Sequence, residues 1–361
     1  MTDVAASVDV DRISTLADFE PLARERMAPA DFDFVAGGSW DEITLAENVE
    51  AWRRFRFVPR VLTGVREVDV RGSLLGVPSA LPVAIPPMAA QAMAHPDAEI
   101  AMARAAAVAG IPFCLSTSAS TPMEEVAVGA PDAARLFQLY LVRDLGYTRS
   151  LVERAEAAGY RAIILTVDLP VLGYRDRDRR NNFTLPAMPM VDGAAAVLGA
   201  RDDLRYGGLE EQGEVGLSWT TVDAIRSWTS LPVVLKGILS PEDAGLAADA
   251  GVAGIVVSNH GARQLDRSIA TADALRGIVD RVDGRCEVWV DGGIRRGLDV
   301  AIALALGATG VLVGRPLYWA LAAGGQAGVE RALAILREEL MLTLQLLGAA
   351  SIGELGPALL A

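Results

Sequence analysis

Two histidines occur in the 361 residues, His95 and His260. His260 stands in the run SNHGARQLD (258–266), just behind the apolar stretch GIVV and three residues before Arg263. Imidazole is the side chain that titrates closest to neutrality, so a scarce one beside a guanidinium is a candidate base next to an anion holder. A base of this kind works best when a carboxylate fixes its tautomer, and Asp168 closes another apolar run, RAIILTVD (161–168). Lys236 ends LPVVLKG (231–237). An ammonium at a buried strand end is costly unless an anion or a cofactor faces it. DGGIRRG (291–297) and VGRP (313–316) combine backbone-exposing glycines with Arg295 and Arg315 ahead of helical segments, which suits a phosphate. The plainer reading of those glycines is tight strand–helix turns, and the two arginines weigh against it.

The elements that must position these residues recur with a regular rhythm. Eight short apolar runs span 82–87, 111–116, 135–140, 161–168, 231–237, 254–259, 286–293 and 310–315. Ala-rich helical patterns lie between them, at 98–109, 148–158, 241–250 and 297–306 among others. Continuous apolar strands suit a parallel sheet covered on both faces. Eight strand–helix units predict an α/β fold of the (β/α)8 TIM-barrel type. A doubly wound sheet competes, but it calls for fewer strands and a Gly-rich loop after the first. Barrel strands aim their C-terminal ends at the active site. There the runs carry Ser116, Gln138, Tyr140, Thr166, Asp168, Lys236, Ser258, His260, Asp291, Gly292, Gly293, Gly314 and Arg315. The expectation is one site where all of them converge. The organisation expected is a single unit: a helical preface over 1–81, the barrel over about 82–325 and a C-terminal helix over about 326–348. In the preface, 14–36 reads as helical, interrupted by Pro21 and Pro29. A charged, Gly-rich insertion, 174–215, follows the fourth strand and falls on the catalytic face, where loops act as lids.

Composition narrows the function. The net charge of −13 argues against nucleic acid and anionic membranes as partners. Cys114 and Cys286 both lie in apolar runs and read as buried thiols, with neither a disulfide framework nor a metal site. The first fourteen residues lack the apolar core of a signal peptide, and no apolar run reaches the roughly 18 residues of a membrane span. The expectation is a soluble cytoplasmic protein.

Taken in order, LTVD, LKG, SNHGARQLD, DGGIRRG and VGRP resemble the FMN-dependent α-hydroxy-acid oxidases and dehydrogenases, which include glycolate, lactate and mandelate-type enzymes. The resemblance runs from about Phe32 to the C-terminal helix and implies a barrel binding FMN at its C-terminal mouth. It implies His260 as the active-site base and Asp168 as its carboxylate partner. Arg263 and Arg175 hold the substrate carboxylate, and Tyr140 hydrogen-bonds the substrate. The flavin ring falls to Ser116, Gln138 and Thr166, with the backbone around Pro87, Met88 and Ala89 against it. Lys236 sits by the ring's N1–O2 edge. Ser258 and Asp291 face the ribityl chain, and Gly292, Gly293, Arg295, Gly314 and Arg315 form the phosphate end. His95, in AMAHP, reads as structural.

The implied reaction takes an (S)-2-hydroxy acid to its 2-oxo acid. Ala89 favours oxygen as the electron acceptor, giving hydrogen peroxide; a dehydrogenase with another acceptor is the alternative. Family members are often tetramers, so a homo-oligomer is expected. Three positions depart from the glycolate-oxidase pattern. Phe34 replaces a tyrosine that binds the substrate carboxylate, Ser118 replaces a bulky tryptophan, and Met88 replaces a small polar residue. Together with the FDF and VLKGIL wording, which resembles the hydroxymandelate oxidases, they point to an aromatic acid. Lactate-like aliphatic acids remain the alternative, with Phe34 then a neutral change.

Overall fold

Each of the eight apolar runs forms a strand, and the strands pair in parallel in chain order. The computed structural model describes residues 9–142, 144–192 and 216–361. A small antiparallel hairpin comes first, β1 (Gly72–Leu74) and β2 (Val77–Ser79). The barrel strands follow: β3 (Val83–Ala84), β4 (Phe113–Leu115), β5 (Arg135–Leu139), β6 (Ile163–Thr166), β7 (Val233–Ile238), β8 (Gly254–Val257), β9 (Glu287–Val290) and β10 (Gly310–Leu312). Their order is β3-β10-β9-β8-β7-β6-β5-β4. The two ends meet through a parallel bridge, Ile85 against Phe113, where the Ile85 N–H donates to Pro112 O at 3.0 Å and the Cys114 N–H to Ile85 O at 2.9 Å. The result is the (β/α)8 barrel.

A helix follows every barrel strand. In order these are Ala98–Ala109, Met123–Gly129, Leu145–Ala157, Trp219–Trp228, Pro241–Asp249, Thr271–Val282, Gly297–Ala305 and Arg315–Leu347. The last is broken at Gly324 and Gly325, whose backbone angles are not helical. Alanine dominates the first of these helices because it must lie close on the sheet; Ala101, Ala103, Ala105 and Ala106 are buried. Strands covered by helices outside and side chains inside bury both faces, which accounts for their unbroken apolar runs.

The barrel axis is filled by one residue from each strand: Ala84, Cys114, Leu136, Ile164, Val234, Val256, Trp289 and Leu312. Leu74 of the hairpin packs into this layer and closes its lower end. Burial pushes the Cys114 thiol up, as expected of an inert core cysteine. Cys286 departs from the expectation slightly: it is half-buried in the turn just before β9, not in a strand.

The preface wraps the mouth. Its helices are Phe19–Arg26, Pro29–Ala36 and Ile43–Arg53. Pro21 does not interrupt the first of them. It lies in the opening turn, where the N–H it lacks would have no helical partner. Trp52 of the third helix donates from its indole N–H to Gly292 O at 2.8 Å. His95 packs against Gly325, and its Nδ1 accepts from the Asp97 N–H at 3.2 Å, outside the cavity lining described below. Among the described residues, no helix is long and apolar enough to cross a membrane. The 193–215 part of the expected lid, and the first eight residues, lie outside the described residues.

Candidate active site

Side chains along a strand alternate, so residues two apart share a face. Two residues beyond each member of the apolar layer stand Pro86, Ser116, Gln138, Thr166, Lys236, Ser258, Asp291 and Gly314. The polar strand ends therefore converge because the alternation that fills the axis also aims them into the mouth. A cavity open to solvent lies above them. It is lined by Pro87, Met88, Ala89, Ser116, Tyr140, Thr166, Arg175, Lys236, His260, Arg263, Asp291, Gly292, Gly293, Arg295, Gly314 and Arg315. Phe34 lines it too. Gln138 and Ser258 do not. They lie just behind the lining, and Gln138 joins the polar row: its Oε1 accepts from Ser116 Oγ at 3.1 Å and its Nε2 donates to Thr166 Oγ1 at 3.1 Å. Ser258 accepts from Lys236 Nζ at 2.8 Å and from the His260 N–H at 3.1 Å.

His260 and Asp168 meet as expected, Nδ1 to Oδ1 at 2.9 Å. A carboxylate accepts only, so Nδ1 carries the proton and the lone pair of the neutral ring sits on Nε2. Nε2 faces the Tyr140 hydroxyl at 3.4 Å. Burial pulls the His260 pKa below its ordinary value, against the pull of Asp168, so the ring is neutral near pH 7. Burial would raise Asp168, but His260 and Lys236 hold it below the usual carboxylate range. Tyr140 is pushed up to about 12 by burial and then by Asp168, and stays a hydroxyl. The backbone here is strained: His260, Gly261 and Ala262 all have positive φ, at 59°, 62° and 62°. Such strain persists only where surrounding contacts over-determine it. The Ser39 N–H donates to Ala262 O at 2.9 Å, and Asn259 Oδ1 accepts from the Ala262 N–H at 3.1 Å.

On β7, the strand between those that carry Asp168 and His260, Lys236 pairs with Asp291 at 3.1 Å. Burial acts to lower the Lys236 pKa, but Asp291 and then Asp168 carry it above its ordinary value, so the ammonium stays charged. Beyond it, Gly292 and Gly293 adopt φ of 91° and 83°. A Cβ on Gly293 would lie 1.9 Å from Asn48 O, so only glycine lets the preface helix close on this turn. Arg315 is half-buried and bonds only carbonyls: Nε donates to Val35 O at 2.8 Å, and Nη2 to Gly37 O and Gly261 O at 2.8 and 2.9 Å. Burial, with Arg263 and Arg295 nearby, pulls its pKa down to about 9. Burial lowers Arg295 as well. Neither forms an ion pair among the described residues, which leaves two half-buried cations beside glycine-lined backbone. A phosphate dianion would supply the missing charge. The buried Asp291 Oδ1 and Ser118 Oγ have no partner among the described residues and offer bonding positions to further polar atoms of a ligand. These features fit FMN: a phosphate end, a polar middle and a flat floor ending at Lys236.

The substrate side is more apolar than its charges suggest. Arg175 Nε donates to Arg263 O at 3.1 Å, and Arg263 Nη1 donates to Phe34 O and to Gly37 O. The Arg263 guanidinium lies over the Phe34 ring at 4.6 Å, and Phe34 stacks on Phe183 with centroids 4.5 Å apart. Leu169, Leu172 and Leu185 complete this wall with Met88. The three leucines went unnoticed in the sequence. Their only signal was position, just after the fourth barrel strand and within the lid insertion. No cluster of metal-ligating side chains occurs among the described residues.

Comparison with known proteins agrees with this geometry. The sequence profile of the FMN-dependent dehydrogenase family matches residues 23–361. Glycolate oxidase 3 of Oryza sativa subsp. indica is 44% identical over 348 residues, 95% of each chain. The L-lactate oxidase of a Nostoc species is 44% identical over 354 residues, 96% of this chain and 97% of that protein. A crystal structure of mandelate oxidase with (S)-4-hydroxymandelic acid superposes with a TM-score of 0.90 at 44% identity, covering 97% of this chain and 98% of that one. The chain belongs to the FMN-dependent dehydrogenase family and is an FMN-dependent oxidoreductase of the 2-hydroxy-acid oxidase type.

Proposed function

We propose that the protein oxidises an (S)-2-hydroxy acid of the aromatic, mandelate type to its 2-oxo acid and passes the electrons to oxygen as hydrogen peroxide. The observation that carries this reading is the neutral His260, tied through Nδ1 to Asp168, in a cavity it shares with Arg175 and Arg263. Arg263 and Arg175 hold the substrate carboxylate. His260 Nε2 takes a proton from the substrate, Asp168 stabilises the resulting imidazolium, and the Tyr140 hydroxyl orients the reacting oxygen. FMN, when bound, would supply the two-electron acceptor. Arg295 and Arg315, with Gly292, Gly293 and Gly314, hold its phosphate. Asp291 and Ser258 serve the ribityl chain. Ser116, Gln138, Thr166 and the Pro87–Met88–Ala89 backbone hold the ring, and Lys236 offsets the negative charge of its reduced form. The substrate loses two electrons and two protons, and oxygen takes up both pairs.

The aromatic assignment rests on the wall of Phe34, Met88, Leu169, Leu172 and Leu185, with the small Ser118 opening space. Sequence identity does not separate the candidates, because the glycolate, lactate and mandelate enzymes compared above are equally similar. The test is anaerobic loss of the visible flavin absorbance on adding glycolate, (S)-lactate, longer aliphatic acids, and (S)- or (R)-mandelate. Oxygen is then admitted and peroxide assayed. Fastest bleaching by (S)-mandelate, with peroxide on aeration, is expected. Bleaching by the small acids alone would assign an aliphatic substrate, and bleached enzyme indifferent to oxygen would assign another acceptor.

A further inference from the structure

Gln264 follows Arg263 in SNHGARQLD, yet it does not line the cavity. It is 9% exposed, and its amide is fully engaged. Nε2 donates to Asp168 O at 2.9 Å and to Val171 O at 2.8 Å, while Oε1 accepts from the Gly173 N–H at 3.1 Å. One side chain thus closes three bonds onto the segment running from Asp168 toward Arg175. The approach is as tight as backbone permits: a Cβ on Gly173 would lie 2.4 Å from Arg263 O and 2.9 Å from Gln264 Cα. The same two loops carry His260 and Arg263 on one side and Asp168 and Arg175 on the other.

We propose that Gln264 is the positioning residue that locks the loop after β6 to the loop after β8, setting both the Asp168–His260 pair and the Arg175–Arg263 pair in register. It touches neither substrate nor cofactor; it acts through the two backbones. An amide suits this place because the segment presents two carbonyls and one N–H. Glutamate has the same shape but cannot donate to the carbonyls and sets a carboxylate against them. The proposal rests on the reading of His260, Asp168, Arg175 and Arg263 given above.

The test uses holoenzyme with Gln264→Glu, Gln264→Ala and, independently, Gly173→Ala. Hydrogen exchange of the 169–175 backbone needs no substrate and is expected to speed up in all three. With the preferred 2-hydroxy acid, kcat/KM is expected to fall by on the order of 10- to 100-fold, with KM rising and kcat falling together, while FMN content is retained. A pH profile separates positioning from simple loss of stability. His260 is faced by Asp168 from the end of β6, Lys236 from β7, Tyr140 from β5, Arg175 from the loop after β6 and Arg263 from its own loop. Asp168 is the group that raises its pKa, so loosening it in Gln264→Ala moves the acid limb of kcat/KM to lower pH. A variant that is only less stable leaves that limb in place. Gln264→Glu preserves the volume, so it carries the test if the alanine variant does not fold. Unchanged kinetics in Gln264→Glu, with or without faster exchange, would overturn the proposal. Wild-type enzyme that no 2-hydroxy acid reduces would sink the reading of the reaction instead, and the exchange measurement would still decide whether the lock exists.

Discussion

Two layers of the barrel lie one alternation apart and do opposite work. The lower one, from Ala84 round to Leu312, is apolar, buried and sealed beneath by Leu74. The upper one, from Pro86 round to Gly314, holds an amide, hydroxyls, an ammonium and a carboxylate. Strand geometry is the same in both. In the lower layer the side chains pack on one another and on Leu74, and the Trp289 indole N–H is matched by Glu287 Oε2 at 2.9 Å. In the upper layer they meet the mouth, and groups costly to bury are kept charged by one another. The Lys236–Asp291 pair at 3.1 Å shows this: burial acts to lower the lysine pKa, and Asp291 more than offsets it. One layer holds the barrel together, and the next adds little to stability because its groups face ligand.

The comparison breaks most clearly if a substitution in one layer gives the other layer's phenotype. His260→Ala, just above the upper layer, is expected to lower kcat by about 10²–10⁴-fold, the range for a lost general base, while FMN content and thermal midpoint change little. Steady-state kinetics beside the visible flavin spectrum checks both. Trp289→Ala is the converse. It removes the largest side chain of the lower layer and is expected to cost about 3–5 kcal/mol in denaturant unfolding. The fraction still folded should turn over within a few-fold of wild type. A Trp289 variant that was stable but inactive would mean the two layers are not separable.

Arg315→Met sits between these extremes. It removes one of the two half-buried cations that lack ion pairs among the described residues, and with it a charge-assisted contact worth about 1.5–3 kcal/mol. FMN is expected to bind about 10- to 150-fold more weakly, read by equilibrium dialysis. Apoprotein stability is expected to fall as well, because the carbonyls of Val35, Gly37 and Gly261 lose their donor.

The layers were legible in sequence to different depths. The lower one appears as apolar runs, and the helices between them fall within a few residues of expectation; 98–109 matches Ala98–Ala109 and 297–306 matches Gly297–Ala305. The polar strand ends were legible because residue type changes abruptly where each strand leaves the core. What stayed hidden depends on how separate loops fold over each other. Leu169, Leu172 and Leu185 look like ordinary loop leucines until the chain after β6 brings them to the cavity that Phe34 also lines. That Gln138 and Ser258 stand behind the lining is a matter of side-chain direction, which residue type does not encode. Pro21 misled because a proline breaks a helix only beyond its first turn. The left-handed run 260–262 contains one glycine, so two of its three residues carried no signal.

The pH dependence of kcat/KM sharpens the picture of the upper layer. His260 must be neutral to accept a proton, and burial lowers its pKa from the ordinary value. The active form therefore persists as pH falls, and activity is lost only when the depressed pKa is crossed. The acid limb of kcat/KM should lie below about 6.5, the unperturbed imidazole value. A limb above that value would mean Asp168 outweighs burial and the ring is charged at rest.

The smallest expected effect comes from the apolar wall. Phe34→Tyr adds a hydroxyl to a ring held between the Arg263 guanidinium and Phe183. The ring keeps its place because both contacts are to its faces, while the new oxygen extends from its edge. If that edge reaches the substrate carboxylate, the gain is that of one hydrogen bond, about 0.5–1.5 kcal/mol. Small acids, which depend most on carboxylate contacts, should benefit more than mandelate, so the ratio of kcat/KM for (S)-mandelate over (S)-lactate should fall by about 2- to 12-fold. An unchanged ratio would place the hydroxyl out of reach and make Phe34 a support for Arg263 alone. A ratio that rose would mean the hydroxyl meets the aromatic side chain instead, and that the substrate lies the other way round in the cavity.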